Sequence, residues 1–162
     1  MCNLDVRSHH FLTFSEILSA TMCSMNIRRL TLDDLPLALE GVSSLKPGVG
    51  AAHLKDFLAD EKNFLVVALM DEQLTGFVLG YKLARIAGDP HMLYIHELEA
   101  ATAYQRQGVG SALIASLRHL SENGKLIKAF LIAQESNQAA VKFYKNTGAH
   151  QPHDDDTVFV YG

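Results

Sequence analysis

Several residue types are scarce in this chain. It has no tryptophan, two cysteines and four prolines among 162 residues. Both cysteines, Cys2 and Cys23, precede the apparent domain, so the sequence predicts neither a disulfide framework nor a zinc site. Eight histidines are present, but none pairs with another four residues along a predicted helix. The sequence therefore predicts no metal.

A basic surplus is also absent. Fourteen lysines and arginines stand against eighteen acidic residues, which gives a net charge of −4 and an isoelectric point near 6.0. Nucleic-acid-binding proteins usually carry the opposite balance, so no nucleic-acid partner is expected and a cationic small molecule fits better. The longest apolar run, residues 64–70, is far too short to cross a bilayer, and no membrane partner is expected.

The first 24 residues differ from the rest of the chain. A signal peptide would need a basic start and an unbroken apolar stretch, but Asp5 interrupts the first and Glu16 the second. We interpret residues 1–24 as a poorly ordered leader, followed by one domain over residues 25–162. Without a targeting segment, a cytoplasmic location is expected.

Hydrophobic periodicity beyond residue 25 predicts an α/β (α+β) fold. Strands are predicted at 25–30, 64–70, 74–83, 92–100, 126–133 and 157–161, and helices at 35–45, 51–59, 108–122 and 137–147. Thr31 to Asp34 resembles a capping box before the first helix. Early antiparallel strands followed by strand–helix–strand units imply a mixed sheet with helices on its faces.

The strand at 92–100 changes parity partway along. Leu93 and Ile95 share one face, yet Leu98 and Ala100 follow after an odd step of three. A β-bulge at His96-Glu97 would explain the step, would leave a backbone N–H unpaired and would turn an acidic side chain toward a cleft. A strand buried on both faces would explain it equally well, and the pattern alone leaves both open.

A glycine-containing loop follows this strand and leads directly into a helix. Gly108 and Gly110 would let a ligand approach the backbone, and the first amides of the helix would favour an anion such as a pyrophosphate. No Gly-Lys-Ser/Thr follows, so the loop is not a P-loop, and the third glycine of the dinucleotide fingerprint is missing.

These motifs, with Asn137, Phe143-Tyr144 and Gly148 downstream, resemble the GCN5-related N-acetyltransferases (GNAT). The resemblance implies a mostly antiparallel central sheet with a splayed, bulged strand, and acetyl-CoA as cofactor. It also implies a possible homodimer. The implied cofactor contacts come from Leu98, Glu99, Ala100, Gln105, Arg106, Gln107, Gly108, Val109, Gly110, Ser111, Asn137 and Tyr144.

A narrower resemblance is to the aminoglycoside 3-N-acetyltransferases, carried by Tyr94 to Leu98 and the spacing to Gly108. In those enzymes an acidic residue at the position of Glu97, usually aspartate, engages the acceptor amine. The resemblance therefore implies a polycationic acceptor, for which we expect Glu97, Glu99 and the carboxylates of Asp154, Asp155 and Asp156 as ligands.

The expected chemistry is direct acetyl transfer to a primary amine. Glu97 is the candidate base, or Glu99 if the bulge register differs by one, and the Leu98 N–H would hold the oxyanion. Tyr144 would protonate the thiolate, although its helical stripe is also consistent with plain packing. Alternatives are a polyamine, small-metabolite or protein-amine acceptor, or a non-catalytic acyl-CoA-binding domain.

Overall fold

A computed structural model of the chain describes residues 24–122 and 125–153. The predicted leader, apart from Ser24, and the predicted strand at 157–161 lie outside the described residues. The strands within the described part are β1 (Asn26–Arg29), β2 (Asn63–Met70), β3 (Gln73–Leu83), β4 (His91–Ala100) and β5 (Leu126–Phe130). The helices are α1 (Leu35–Leu45), α2 (Ala51–Ala59), α3 (Val109–Glu122) and α4 (Gln138–Asn146), with short 3₁₀ turns at Leu32–Asp34 and Thr102–Tyr104.

The strands form one sheet in the order β1-β2-β3-β4-β5. Neighbours from β1 to β4 are antiparallel, and β5 alone runs parallel to β4 because α3 connects them. Asp71 and Glu72 make the β2–β3 turn with φ of 49° and 65°. Positive φ at both positions matches the strand twist of a two-residue hairpin. The predicted mixed, mostly antiparallel sheet is confirmed.

The predicted capping box is present, and it opens the 3₁₀ turn that leads into α1. The Thr31 N–H donates to Asp34 Oδ2 at 2.9 Å, and the Asp34 N–H donates to the Thr31 carbonyl at 3.0 Å. Arg28 on β1 donates to Asp34 Oδ1 at 2.8 Å, and this hydrogen bond is the main reason that the pKa of Asp34 falls to about 2. The same carboxylate therefore joins the first strand to the first helix.

Strand β2 separates two hydrophobic clusters because its side chains alternate between faces. Phe64, Val66 and Ala68 pack with α3, whereas Leu65, Val67 and Leu69 pack with α1 and α2. All six are buried. Helices therefore cover both faces of the sheet, as predicted.

Helix α3 packs closely on β3 because two of the residues beneath it have no side chain. A Cβ at Gly80 would lie 3.0 Å from Leu117 Cδ2. A Cβ at Gly76 would lie 2.9 Å from the Glu99 carbonyl oxygen and 3.0 Å from Val109 Cγ1. Val78 lies between them on the same face and is fully buried. Close packing here fixes the position of the N-terminus of α3 relative to β4.

Strand β5 ends three residues before the predicted boundary. The apolar run continues to Ala133, but β5 pairs with β4 only as far as Phe130, which lies opposite Tyr94. Ile132, beyond the ladder, is 58% exposed. The prediction ended where the apolar run ends, at Ala133. The strand itself ends at Phe130, because β4 diverges from it there.

We expect Gly76→Ala to lower the stability of the fold by about 1–3 kcal/mol, the usual cost of overpacking. The added methyl would meet a backbone oxygen, which cannot move aside as a flexible side chain could. Denaturant unfolding measures the change. Gly50→Ala is the control, because its Cβ would lie 3.7 Å from the nearest atom, His53 Cδ2. Equal losses in the two variants would contradict the close packing of α3.

Candidate active site

The bulge in β4 is present at the predicted place. Glu97 pairs with Leu79 on β3 and Ile95 pairs with Gly80, so His96 has no partner in the ladder. The extra residue places Leu98 and Ala100 against the same hydrophobic cluster as Leu93 and Ile95. The parity step therefore reflects a bulge, and it turns Glu97 and Glu99 to the other face of the sheet.

Beyond Tyr94, one edge of β4 diverges from its neighbour. Within the described residues, β5 pairs with β4 only from His91 to Tyr94. The Ala101 N–H donates to the Thr75 carbonyl at 2.9 Å, so by the alternation of an antiparallel ladder the Leu98 and Ala100 backbone groups point at the diverging edge. The predicted splay is therefore observed.

The loop after β4 is shaped by two residues in the left-handed region. Arg106 has a φ of 60° and Gly108 a φ of 88°. Gln105 donates to the Ala100 carbonyl at 3.1 Å, and Gln107 donates to the Ala103 carbonyl at 2.7 Å. Both amide side chains, predicted as cofactor contacts, thus brace the loop itself.

Helix α3 begins directly after this loop. Its first hydrogen bond runs from the Ala112 N–H to the Gly108 carbonyl at 3.0 Å. The preceding amides, those of Val109, Gly110 and Ser111, have no intrahelical acceptor and carry the positive end of the helix dipole. An anion is favoured at this position.

The two glycines of the loop have different surroundings. Nothing lies within 4 Å of a Cβ at Gly108. A Cβ at Gly110 would lie 3.1 Å from Phe143 Cζ and 3.7 Å from Leu98 Cδ2. Gly110 is therefore the point where β4, α3 and α4 meet, and it serves packing as well as any ligand approach. The sequence alone did not separate these two roles.

Helix α4 supplies Asn137 and Tyr144. The Asn137 side-chain oxygen caps the helix by accepting from the Ala140 N–H at 3.1 Å. Tyr144 is half-buried against the α3 cluster, and its ring centroid lies 5.1 Å from that of Phe143. Burial raises the pKa of the Tyr144 phenol, so it remains protonated at neutral pH. The packing role considered for Tyr144 is thus observed.

Glu97 lies on the opposite face and makes an ion pair that the sequence did not indicate. Lys46, at the end of α1, donates from Nζ to Glu97 Oε1. The Glu97 side chain is 23% exposed and that of Lys46 is 48% exposed. Glu99 lies two residues farther along the same face and is exposed. The only trace of this ion pair in the sequence is the positive charge of Lys46 before Pro47-Gly48, and nothing in the sequence indicates that Lys46 lies near β4.

Aromatic side chains line the same face beside Glu97. Tyr81 stacks on Tyr94 at 6.3 Å between centroids, and His96 contacts both rings at 5.6 Å. Phe130 stacks on Tyr94 at 5.3 Å. Burial raises the pKa of Tyr81, with a further increase from the negative charge of Glu97. The sequence analysis missed this cluster, because its members come from three strands.

Other features lie away from this region. A surface cavity of about 950 Å³, whose lining includes Asp60, Lys62, Arg85 and Asp89, contains none of the predicted site residues. Asp154, Asp155 and Asp156 lie outside the described residues. In the described part of the chain there is no acidic, histidine or cysteine cluster able to hold a metal ion, and no helix is long and apolar enough to span a membrane.

Comparisons with known proteins match this arrangement. An aminoglycoside acetyltransferase from an uncultured soil metagenomic sample superimposes with a TM-score of 0.72 and 25% identity, over 85% of this chain and 95% of that one. The aminoglycoside N-acetyltransferase AAC(6′)-Iy, solved with CoA, gives a TM-score of 0.74 at 15% identity over 88% and 97% of the two chains, a likeness of fold alone.

A curated relative is N-alpha-acetyltransferase 60 of Xenopus tropicalis, which is 28% identical over 61% of this chain and 48% of its own length. The chain thus spans about half the length of that relative. The sequence model of the acetyltransferase (GNAT) family matches residues 27–149. This match runs from the second residue of β1 to beyond the end of α4, and it confirms the family predicted from the motifs. The chain belongs to the acetyltransferase (GNAT) family.

Proposed function

We propose that this protein transfers an acetyl group from acetyl-CoA to a primary amine by direct attack in a ternary complex. One observation carries the proposal. The bulge at His96 directs the Glu97 carboxylate to one side of β4 and leaves the Leu98 backbone at an edge that β5 has left. The carboxylate can accept the proton of the amine, and the backbone N–H can donate to the carbonyl oxygen of the thioester.

The residues around the start of α3 fit a CoA diphosphate. Gly108 leaves open space where a side chain would stand, and the amides that follow it favour negative charge. The proposed cofactor contacts are therefore those of the loop and helix start, together with the edge of β4, the N-cap residue of α4 and Tyr144 in its last turn. When bound, acetyl-CoA supplies the thioester carbonyl that the amine attacks.

Glu97 is the proposed base. A primary amine arrives protonated at neutral pH and must lose a proton before it attacks. The Glu97 carboxylate is half-buried, beside the aromatic cluster, and can accept that proton directly or through water. Glu99 faces the same way but is exposed, which makes it a weaker candidate.

Leu98 and Tyr144 are proposed to act on the opposite side of β4. The Leu98 N–H would donate to the carbonyl oxygen as that oxygen gains negative charge. The Tyr144 phenol would donate to the departing sulfur. Because burial raises the phenol pKa above its ordinary value, the phenol stays protonated and can donate its proton to the thiolate as it departs.

An aminoglycoside, acetylated at its 3-N position, is the proposed acceptor. The resemblance of the Tyr94–Leu98 segment supports it, and so does the similarity to the metagenomic aminoglycoside acetyltransferase. Glu97, Glu99 and the acidic run at 154–156 would bind its several ammonium groups. The similarity to N-alpha-acetyltransferase 60 favours a second candidate acceptor, the α-amine of a protein.

Thiol release from acetyl-CoA in the presence of gentamicin, spermidine, ethanolamine and an unblocked peptide distinguishes the candidates. We expect release with gentamicin at the highest kcat/KM. Peptide-dependent release alone would favour the second candidate. Tight acetyl-CoA binding without release with any amine would support a non-catalytic acyl-CoA-binding domain instead.

We expect Gly108→Val to weaken acetyl-CoA binding by at least tenfold in calorimetry, because the branched side chain would occupy the space in front of the helix amides. Gly88→Val is the matched control. Gly88 has a φ of 83°, close to the 88° of Gly108, and equally open surroundings, but it lies beyond the far end of β3. Both variants carry similar backbone strain. Equal affinity in the two would contradict the phosphate site.

Glu97→Gln should reduce kcat/KM by roughly 10²–10⁴-fold, the usual loss for a general base. Acetyl-CoA affinity should hardly change, because the carboxylate faces away from the edge assigned to the cofactor. Steady-state kinetics with gentamicin and calorimetry with acetyl-CoA measure the two effects. Glu99→Gln is the comparison, and a larger loss there than in Glu97→Gln would assign the base to Glu99.

A further inference from the structure

Lys46 donates to the carboxylate of Glu97, the residue proposed as the base for the acceptor amine. It lies at the junction of α1 and the loop to α2, where its N–H donates to the Val42 carbonyl at 2.8 Å. Pro47 and Gly48 follow, with Gly48 at a φ of 92°. From this position the side chain reaches β4 and donates to Glu97 Oε1.

The ion pair has the same chemistry as the predicted complex with an acceptor. In both cases a primary ammonium group donates to the Glu97 carboxylate. The Lys46 side chain is about half-exposed, so exchange requires only a rotation into solvent. Exposed pairs of this kind are weak, which makes the exchange inexpensive.

Tyr81 lies close enough to the Lys46–Glu97 pair for both charges to act on its phenol. Its pKa is raised mainly by burial and by the charge of Glu97, and Lys46 opposes that increase. Tyr81 also contacts the His96 ring at 5.6 Å, and His96 is the bulged residue itself. The Lys46–Glu97 pair and the bulged residue His96 therefore lie together around Tyr81.

We propose that Lys46 sets the affinity for the acceptor, as an internal cation that occupies the acceptor position at Glu97 until a substrate ammonium group displaces it. The proposal rests on the proposed function. A singly charged amine only exchanges one ion pair for another. An acceptor with several ammonium groups also gains contacts at Glu99, which is exposed on the same face, so multiply charged amines compete better with Lys46.

Lys46→Met tests the proposal. We expect the KM for gentamicin and for ethanolamine to fall by about two- to fivefold, the range that an exposed ion pair allows. The kcat should stay within about twofold, and the acetyl-CoA Kd should not change. Lys46→Arg retains the cation and should keep both KM values near those of the wild type.

Lys125→Met is the matched control. Lys125 pairs with Asp89 at 2.8 Å on the surface, so this variant makes the same change in net charge and also breaks a lysine–carboxylate pair. It should leave KM unchanged. The KM decrease in Lys46→Met should also shrink at 1 M salt, where the Debye length falls to about 3 Å.

A double-mutant cycle isolates the interaction with Glu97. Gentamicin affinity for the enzyme–CoA complex is measured by calorimetry, because Glu97→Gln is expected to have little activity. In the Glu97→Gln background, Lys46→Met should no longer tighten binding. Tightening of equal size in both backgrounds would overturn the proposal, since Lys46 would then act independently of Glu97.

The kinetic outcomes distinguish an incorrect acceptor class from an incorrect role for Lys46. A wild-type enzyme that acetylates neither amine overturns the proposed acceptor class and this inference with it. An active enzyme in which Lys46→Met leaves KM unchanged, raises it or reduces kcat overturns the inference alone. A reduced kcat that Lys46→Arg restores would identify Lys46 as a residue that positions Glu97.

Discussion

The single extra residue at His96 is the constraint on which the rest of the site depends. In a regular strand, Leu98 would lie on the face where Glu97 now lies. The Glu97 carboxylate would then replace Leu98 in the hydrophobic cluster under α3. The bulge resolves this conflict. It also lies just past the last residue pair of β4 and β5, Tyr94 and Phe130, where one edge of β4 becomes accessible.

Close packing fixes the positions of the helices and strands around the bulge. Gly76 and Gly80 allow α3 to approach β3, and Gly110 allows Phe143 to reach the first turn of α3. The same contact brings Leu98 of β4 to that turn. The phosphate-binding candidate, the bulged strand and the tyrosine helix are thus held together by close packing at positions where glycine has no side chain.

Sequence reasoning succeeded where the determining information is local. The parity step lay within eight residues and left a bulge as one of two interpretations, and the turn leading into α1 was visible as a capping box of four. It failed where partners are distant. Lys46 and Glu97 are 51 positions apart, and the aromatic cluster combines β3, β4 and β5. The end of β5 could not be seen either, because it depends on where β4 turns away rather than on the apolar run of β5 itself.

Because β2 is buried on both faces, its residues are apolar, and this composition affects how unfolded chains associate. Phe64 to Met70 is an uncharged segment of seven residues, rich in β-branched and aromatic types and free of proline and glycine, which is the composition of an amyloid-forming stretch. In the native sheet β1 and β3 cover both of its edges. Glu61 and Lys62 precede it, and Asp71 and Glu72 follow it, so charges flank the segment at both ends and oppose stacking between chains. Loss of β1, the short outer strand, would therefore leave one edge of this segment unpaired and open to pairing with another chain.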